Sequence, residues 1–197
     1  LYLLTGDKRY AEDNVIFNVI EKSLTVCIDN LDGTVLKEKN GIPEGKGDIF
    51  EISATYNERG FKAAEAADCI AAMYQAILSY ANILKIRGNT EESEIQFKRA
   101  TDLKEYFNNE WSVVKGTDMF AYAIDDKGKK HYKWKKMGKE IHGGETLKFI
   151  AYKNLSYEGE RTEKLLDYIQ ECEFNPTTRE DNIESYTYLP DIFFRHG

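Results

Sequence analysis

The clearest feature of the hydrophobic pattern is a stripe at three- and four-residue spacing between about Ala63 and Arg87, made by Ala66, Ile70, Met73, Tyr74, Ile77, Ala81 and Leu84. It predicts a helix whose first half, AAEAADCIAAM, combines high helix propensity with side chains small enough for a neighbour to approach closely. Gly88 is placed to end that helix in the left-handed conformation. Asn89, with Glu92 three residues on, reads as a capping box opening a second helix that carries Ile95, Ala100, Leu103 and Phe107. The two make a helical hairpin. Similar punctuation stands at the start, where LYLLTGD reads as a helix end, a capping glycine and a new N-cap, followed by a helix with Tyr10, Asn14, Phe17, Ile20 and Leu24. Further stops fall at Gly159, ahead of a helix of Leu165, Leu166 and Ile169, and at Gly197. Hairpins repeated at unequal intervals predict an all-α helical-hairpin array rather than a solenoid of fixed period. Because both ends sit at such joints, the expectation is one helical-hairpin domain over residues 1–197, cut from a larger domain with hairpins upstream.

Two stretches interrupt this rhythm. Residues 29–60 hold five glycines and one proline, which predicts a long ordered loop or small strands. From Met119 to Trp134, Phe120, Tyr122 and Ile124 alternate with small or polar residues, DDKG supplies a turn, and Tyr132 and Trp134 resume the alternation, which predicts a β-hairpin. Long loops on a rigid helical frame are where function usually sits.

Composition narrows the chemistry. With 42% hydrophobic residues the 197-residue chain can bury a core. A formal net charge of −7 opposes a polyanion, so no nucleic-acid partner is expected. No apolar run approaches about 20 residues and no basic, apolar leader opens the chain, so a soluble protein without a membrane partner is expected. Both the cytoplasm and, with a targeting segment outside this chain, the periplasm or exterior stay open. Cys27, Cys69 and Cys172 are scattered and read as small buried apolar residues. His131, His142 and His196 match no metal-ligand spacing, so no metal is expected. No phosphate-binding glycine loop implies a cofactor, and no GxSxG elbow implies a serine nucleophile. Thirteen tyrosines within 13% aromatic content suit sugar binding, because rings stack on pyranose faces while the phenol hydrogen-bonds. Filling helix interfaces accounts for any single one of them equally well.

The order of acidic loop, helix, Gly-Asn turn, second helix, N-x-x-W segment (Asn108 to Trp111) and aromatic hairpin ending in D-x-x-G resembles the six-hairpin glycosidases. The closing IESYTYLPDIFFRHG, with its E-S-x-T-Y-x-P order, is similar to a later hairpin of the same superfamily. These are (α/α)6-toroid enzymes that include glucoamylase-like, trehalase-like and related bacterial glycoside hydrolases. The resemblance implies part of a toroid whose inner helices point their N-terminal loops at a central cleft holding a carbohydrate substrate. The alternative is a tetratricopeptide-like interaction scaffold, suggested by ILKIRGNTEESEIQFKRATDLKEYF but lacking the fixed 34-residue period.

Glycoside hydrolysis needs one carboxyl to protonate the leaving oxygen and a second carboxylate to activate water or attack the anomeric carbon. Four acids are the catalytic candidates. Glu58 lies in TYNERGF beside Arg59, with Tyr56 as a ring to stack on substrate, although a solvated loop charge explains it as well. Glu65 and Asp68 fall in the expected first turns of the alanine-rich helix, where capping suffices for Glu65 while Asp68 faces burial or substrate. Glu145 follows IHGG, whose glycines permit close backbone approach and whose His142 can titrate near neutrality. Glu184 lies in DNIESYTYLP, where Asp181 or Asn182 can cap the coming helix and leave Glu184 as a first-turn acid beside Tyr186 and Tyr188. Capping does not explain the rings, so Glu184 is the preferred general base or substrate-orienting carboxylate. Trp134, His142, Tyr186 and Tyr188 complete the expected substrate contacts, together with Tyr56 and Arg59.

Overall fold

The computed structural model describes residues 5–45, 54–55, 63–137, 140–179 and 183–196, with the side chains of residues 135–142, 184 and 185 outside that description. The chain is mostly α-helical, as its periodicity predicts. The first helical stretch is broken into α1 (Arg9–Glu12) and α2 (Asn14–Lys22) because Asp13 takes an extended ψ of 119° and its carboxylate accepts a hydrogen bond from the Ile16 amide at 2.9 Å. A π turn, Ser23–Cys27, then leads into α3 (Ile28–Leu31).

The central hairpin is α4 (Ala67–Ile86) and α5 (Thr90–Tyr106). Ile70, Ile77, Ala81 and Leu84 form the buried stripe of α4, and Gly88 takes the expected left-handed turn at φ +83°. Two expectations fail in α5. The Asn89 side chain makes no capping bond, and Glu92 instead accepts from Gln96 at 2.8 Å. Ile95 is exposed, so Ser93, Gln96, Ala100 and Leu103 face inward, with the Ser93 hydroxyl donating to the Ala81 carbonyl at 2.8 Å. Helix α4 is also long and apolar enough to cross a bilayer, contrary to the composition reading. Its contacts with α5 and with the helix after the β-hairpin are those of a core helix. The cysteines diverge as well, since Cys172 is buried while Cys27 is exposed.

Helix α4 begins at Ala67 because Glu65–Ala66 is a strand, β1, paired antiparallel with β2 (Ala123–Ile124), which pairs in turn with β3 (Lys130–His131). The predicted β-hairpin therefore exists and gains a third strand from ahead of the helix. Asp125 closes its turn by accepting the Lys127 and Lys129 amides. A second ribbon, β4 (Lys135–Met137) with β5 (Glu140–His142), precedes α6 (Gly144–Tyr152), which is followed by α7 (Glu160–Phe174), a 3-10 turn at Ile183–Tyr186 and α8 (Leu189–His196).

Helix directions follow from the contacts. Arg87, just past the end of α4, donates to the Ala11 carbonyl and to Asn14, while Tyr80 donates to Glu21 at 3.1 Å, so α2 runs antiparallel to α4. Ala67 donates its amide to the Tyr122 carbonyl at 2.8 Å, Gly143 lies against the Tyr122 ring, and Gln75 reaches the Lys153 carbonyl at 2.6 Å. Helices α4 and α6 thus run parallel, each with its partner helix returning beside it, and their N-termini meet at the three-stranded sheet.

Candidate functional site

Around Tyr122 the sheet end of the molecule gathers the N-termini of two helices that each carry a predicted acid. Asp68 in the first turn of α4 and Glu145 in the first turn of α6 are 1% and 9% exposed. Asp68 accepts from the Thr55 hydroxyl at 2.7 Å and from the Cys69 amide at 2.8 Å. Tyr122, 2% exposed, has its phenol pushed up to about 12 by burial. Gly143, at φ +91°, is the glycine that lets α6 approach, since a Cβ there would lie 2.6 Å from Tyr122 Cε1. Gly143→Ala is expected to destabilise the protein by about 2–3 kcal/mol through backbone strain and overpacking. The same substitution should cost less in a Tyr122→Ala background, where the ring no longer opposes the added Cβ, as a double-mutant cycle by chemical denaturation will measure.

A cleft of about 730 Å³ opens beside this point, lined by residues 35–40, Glu65, Tyr106, Ile124 and the β2–β3 turn residues 126–128. Glu65 is its most consequential side chain. It is fully buried, accepts from Asn40 Nδ2 at 2.7 Å, and accepts from the Trp111 indole N–H. Burial raises its pKa from the ordinary 4.5, the two hydrogen bonds oppose that, and the charges of Glu44 and Asp32 add to it. A folded carboxyl that holds its proton more tightly than the unfolded one stabilises the fold fully below pH 4.5. That contribution is lost as pH rises through the folded value. Burial also raises the Tyr106 phenol, with Asn40 opposing and Glu65, Glu110 and Glu38 adding.

Sequence reasoning assigned Glu65 to helix capping and missed it, because the strand that holds it is set by pairing with Ala123–Ile124, far along the chain. Trp111 lay within the N-x-x-W signal, but the π turn Phe107–Trp111 that closes α5 and leaves Trp111 buried has no local signature. Asn40 carried no signal at all.

The other candidates divide. Tyr56, Glu58 and Arg59 lie outside the described residues, as do the side chains of His142 and Glu184. Glu184 falls in the 3-10 turn, and α8 begins five residues later with Asp191 as its first-turn acid, so Glu184 does not open that helix. Tyr186 is exposed, while Tyr188 is buried edge-on to Phe149 at 5.6 Å and stacked on Tyr152 at 5.4 Å. The rings of DNIESYTYLP therefore serve packing at Tyr188 and face outward at Tyr186. Trp134 is also buried, with its indole donating to the Thr178 carbonyl at 3.0 Å. Among the described residues no cluster of three or more His, Cys, Asp or Glu is arranged to hold a metal ion.

No family model matches the chain. No curated protein matches it either. Among solved structures, the chain is similar to a GH78 family rhamnosidase of Bacillus sp. GL1, with a TM-score of 0.64 and 14% identity over 97% of this chain. The matched region is 18% of that enzyme's length. At this identity the likeness establishes the fold, a helical array like one segment of a glycoside hydrolase, consistent with part of a toroid.

Proposed function

We propose that the chain is a segment of the catalytic domain of a glycoside hydrolase that cleaves an oligo- or polysaccharide by carboxylate acid-base catalysis, with Glu65 as the proton donor. The observation that carries this reading is a fully buried carboxyl at the edge of an open cleft, its proton held more tightly than in water, on a fold shared with a glycosidase segment. In the step assigned to it, Glu65 passes its proton to the glycosidic oxygen as the bond from that oxygen to the anomeric carbon breaks. A second carboxylate, for which Glu184 and Glu58 are the candidates, takes a proton from the water whose oxygen bonds to that carbon. A terminal rhamnoside is the first substrate to try, since the structural neighbour is a rhamnosidase. The test is hydrolysis of aryl glycosides and oligosaccharides by this chain and by any longer protein that carries it. Glu65→Gln is expected to lower kcat/KM by about a hundredfold or more with the fold intact. Absence of sugar release from every substrate, with no sugar-dependent rise in Tm, would overturn the reading.

A further inference from the structure

Residues 32–44 form a strap tied to itself by two buried acids. Asp32 accepts the amides of Asn40 at 3.0 Å and Gly41 at 2.9 Å, and Glu44 accepts those of Val35 and of Leu36 at 3.0 Å. The Asn40 side chain is committed at both ends. Its Oδ1 accepts the Ile42 amide at 2.9 Å and its Nδ2 donates to Glu65. Lys37, at φ +70°, holds a backbone conformation that a non-glycine residue rarely adopts, so the strap keeps its shape at a cost in strain. Asn40 and Tyr106 also line a second, smaller cleft of about 230 Å³ floored by Met73, Ile77 and Leu103, which makes them the partition between the two spaces.

We propose that Asn40 is a positioning residue: the strap holds its amide against Glu65, fixing which way that carboxyl faces the cleft and tying the carboxyl's proton to the strap's integrity. This rests on the reading of Glu65 as the proton donor, and it explains why so much polar chemistry is spent on a loop with no regular secondary structure. An amide N–H donor favours the carboxylate, so the strap restrains a proton affinity that burial alone would drive higher. The charged and titratable groups around Glu65 among the described residues include Asp32 and Glu44 of the strap, Lys37, Glu38 and Lys39 at the cleft, Tyr106 of α5, Lys130 of β3, and Asp126 and Lys127 of the β2–β3 turn. The hydrogen-bond donors to Glu65 among the described residues are the uncharged Asn40 and Trp111.

The chain has two tryptophans, so its indole N–H resonances report separately on Glu65 through Trp111 and on a remote site through Trp134. Followed by 1H–15N NMR against pH, the Trp111 indole should titrate with Glu65 while that of Trp134 stays still. Asn40→Ala should move the Trp111 midpoint up by about one pH unit, and the near-isosteric Asn40→Asp should move it further by setting a second carboxylate beside the first. Asn40→Asp also answers the question if the alanine variant does not fold. A Trp111 midpoint that stays put in a folded Asn40 variant overturns the inference. Shifted midpoints in a protein that hydrolyses no glycoside would retain Asn40's role and sink the glycosidase reading. Hydrolysis with unshifted midpoints would do the reverse.

Discussion

Replacing Lys148 with alanine is expected to lower the free energy of unfolding by about 3–5 kcal/mol, enough to threaten folding of a typical domain. Lys148 sits in the middle of α6 with none of its side chain exposed, paired with Glu173 near the end of α7 and with its ammonium 4.9 Å from the centre of the Trp134 ring. Removing the lysine takes a cationic partner from a carboxylate that is itself only 8% exposed. Losing one half of a buried pair costs more than the pair was worth, because the remaining charge stays desolvated. The same reasoning predicts that Lys148→Met combined with Glu173→Leu will recover most or all of the stability, because two apolar groups of similar volume need no partners. Urea denaturation of Lys148→Ala and of the double replacement will decide it. A double variant as unstable as Lys148→Ala would show that packing around Trp134, rather than charge, makes this position critical.

The hairpin architecture was legible because it is written locally. The α4 stripe, the left-handed Gly88, the turn at Asp125–Gly128 and the break at Gly159 each follow from a few neighbouring residues, and each stands where expected. What the sequence concealed are choices made by distant pairing. Alanine-rich Ala63–Ala66 has helical propensity, but antiparallel pairing with Ala123–Ile124 holds Glu65 and Ala66 extended and moves the helix start to Ala67. That single displacement turns Glu65 from an ordinary first-turn acid into a buried carboxyl at a cleft. Likewise the period in α5 favoured Ile95, yet the close approach of α4 at Ala81 leaves room for Ser93 on that face and turns Ile95 outward. Among the catalytic candidates, the local signal at IHGGE located a close approach at Gly143 and the first-turn Glu145. The DNIESYTYLP segment showed aromatic character without showing that its rings divide between core and surface.

Arg161 is the second position at which one substitution should be severe, and its effect reaches the cleft. From the first turn of α7 its guanidinium donates to the carbonyls of Asn108 and Ser112 at 2.9 Å, of Asp118 at 3.1 Å and of Met119 at 3.3 Å, and it lies 3.7 Å from the Phe120 ring centroid. It thus ties the π turn holding Trp111 to the segment that enters the β-hairpin, where Val113 and Phe120 bridge. Arg161→Ala is expected to cost about 3–4 kcal/mol, since each buried carbonyl left without a donor costs about 1–3 kcal/mol and water reaches only part of the site. Arg161→Lys should recover little of this, because a single ammonium cannot reproduce a planar fork that satisfies four diverging carbonyls and stacks on a ring. Loosening the π turn should also release the indole of Trp111 from Glu65. In a variant that still folds, the Trp111 indole resonance should broaden or lose its pH dependence while that of Trp134, anchored to Thr178, keeps its position. If Arg161→Lys instead matches the parent protein in both stability and the Trp111 titration, charge alone organises the turn and the geometry of the fork is dispensable.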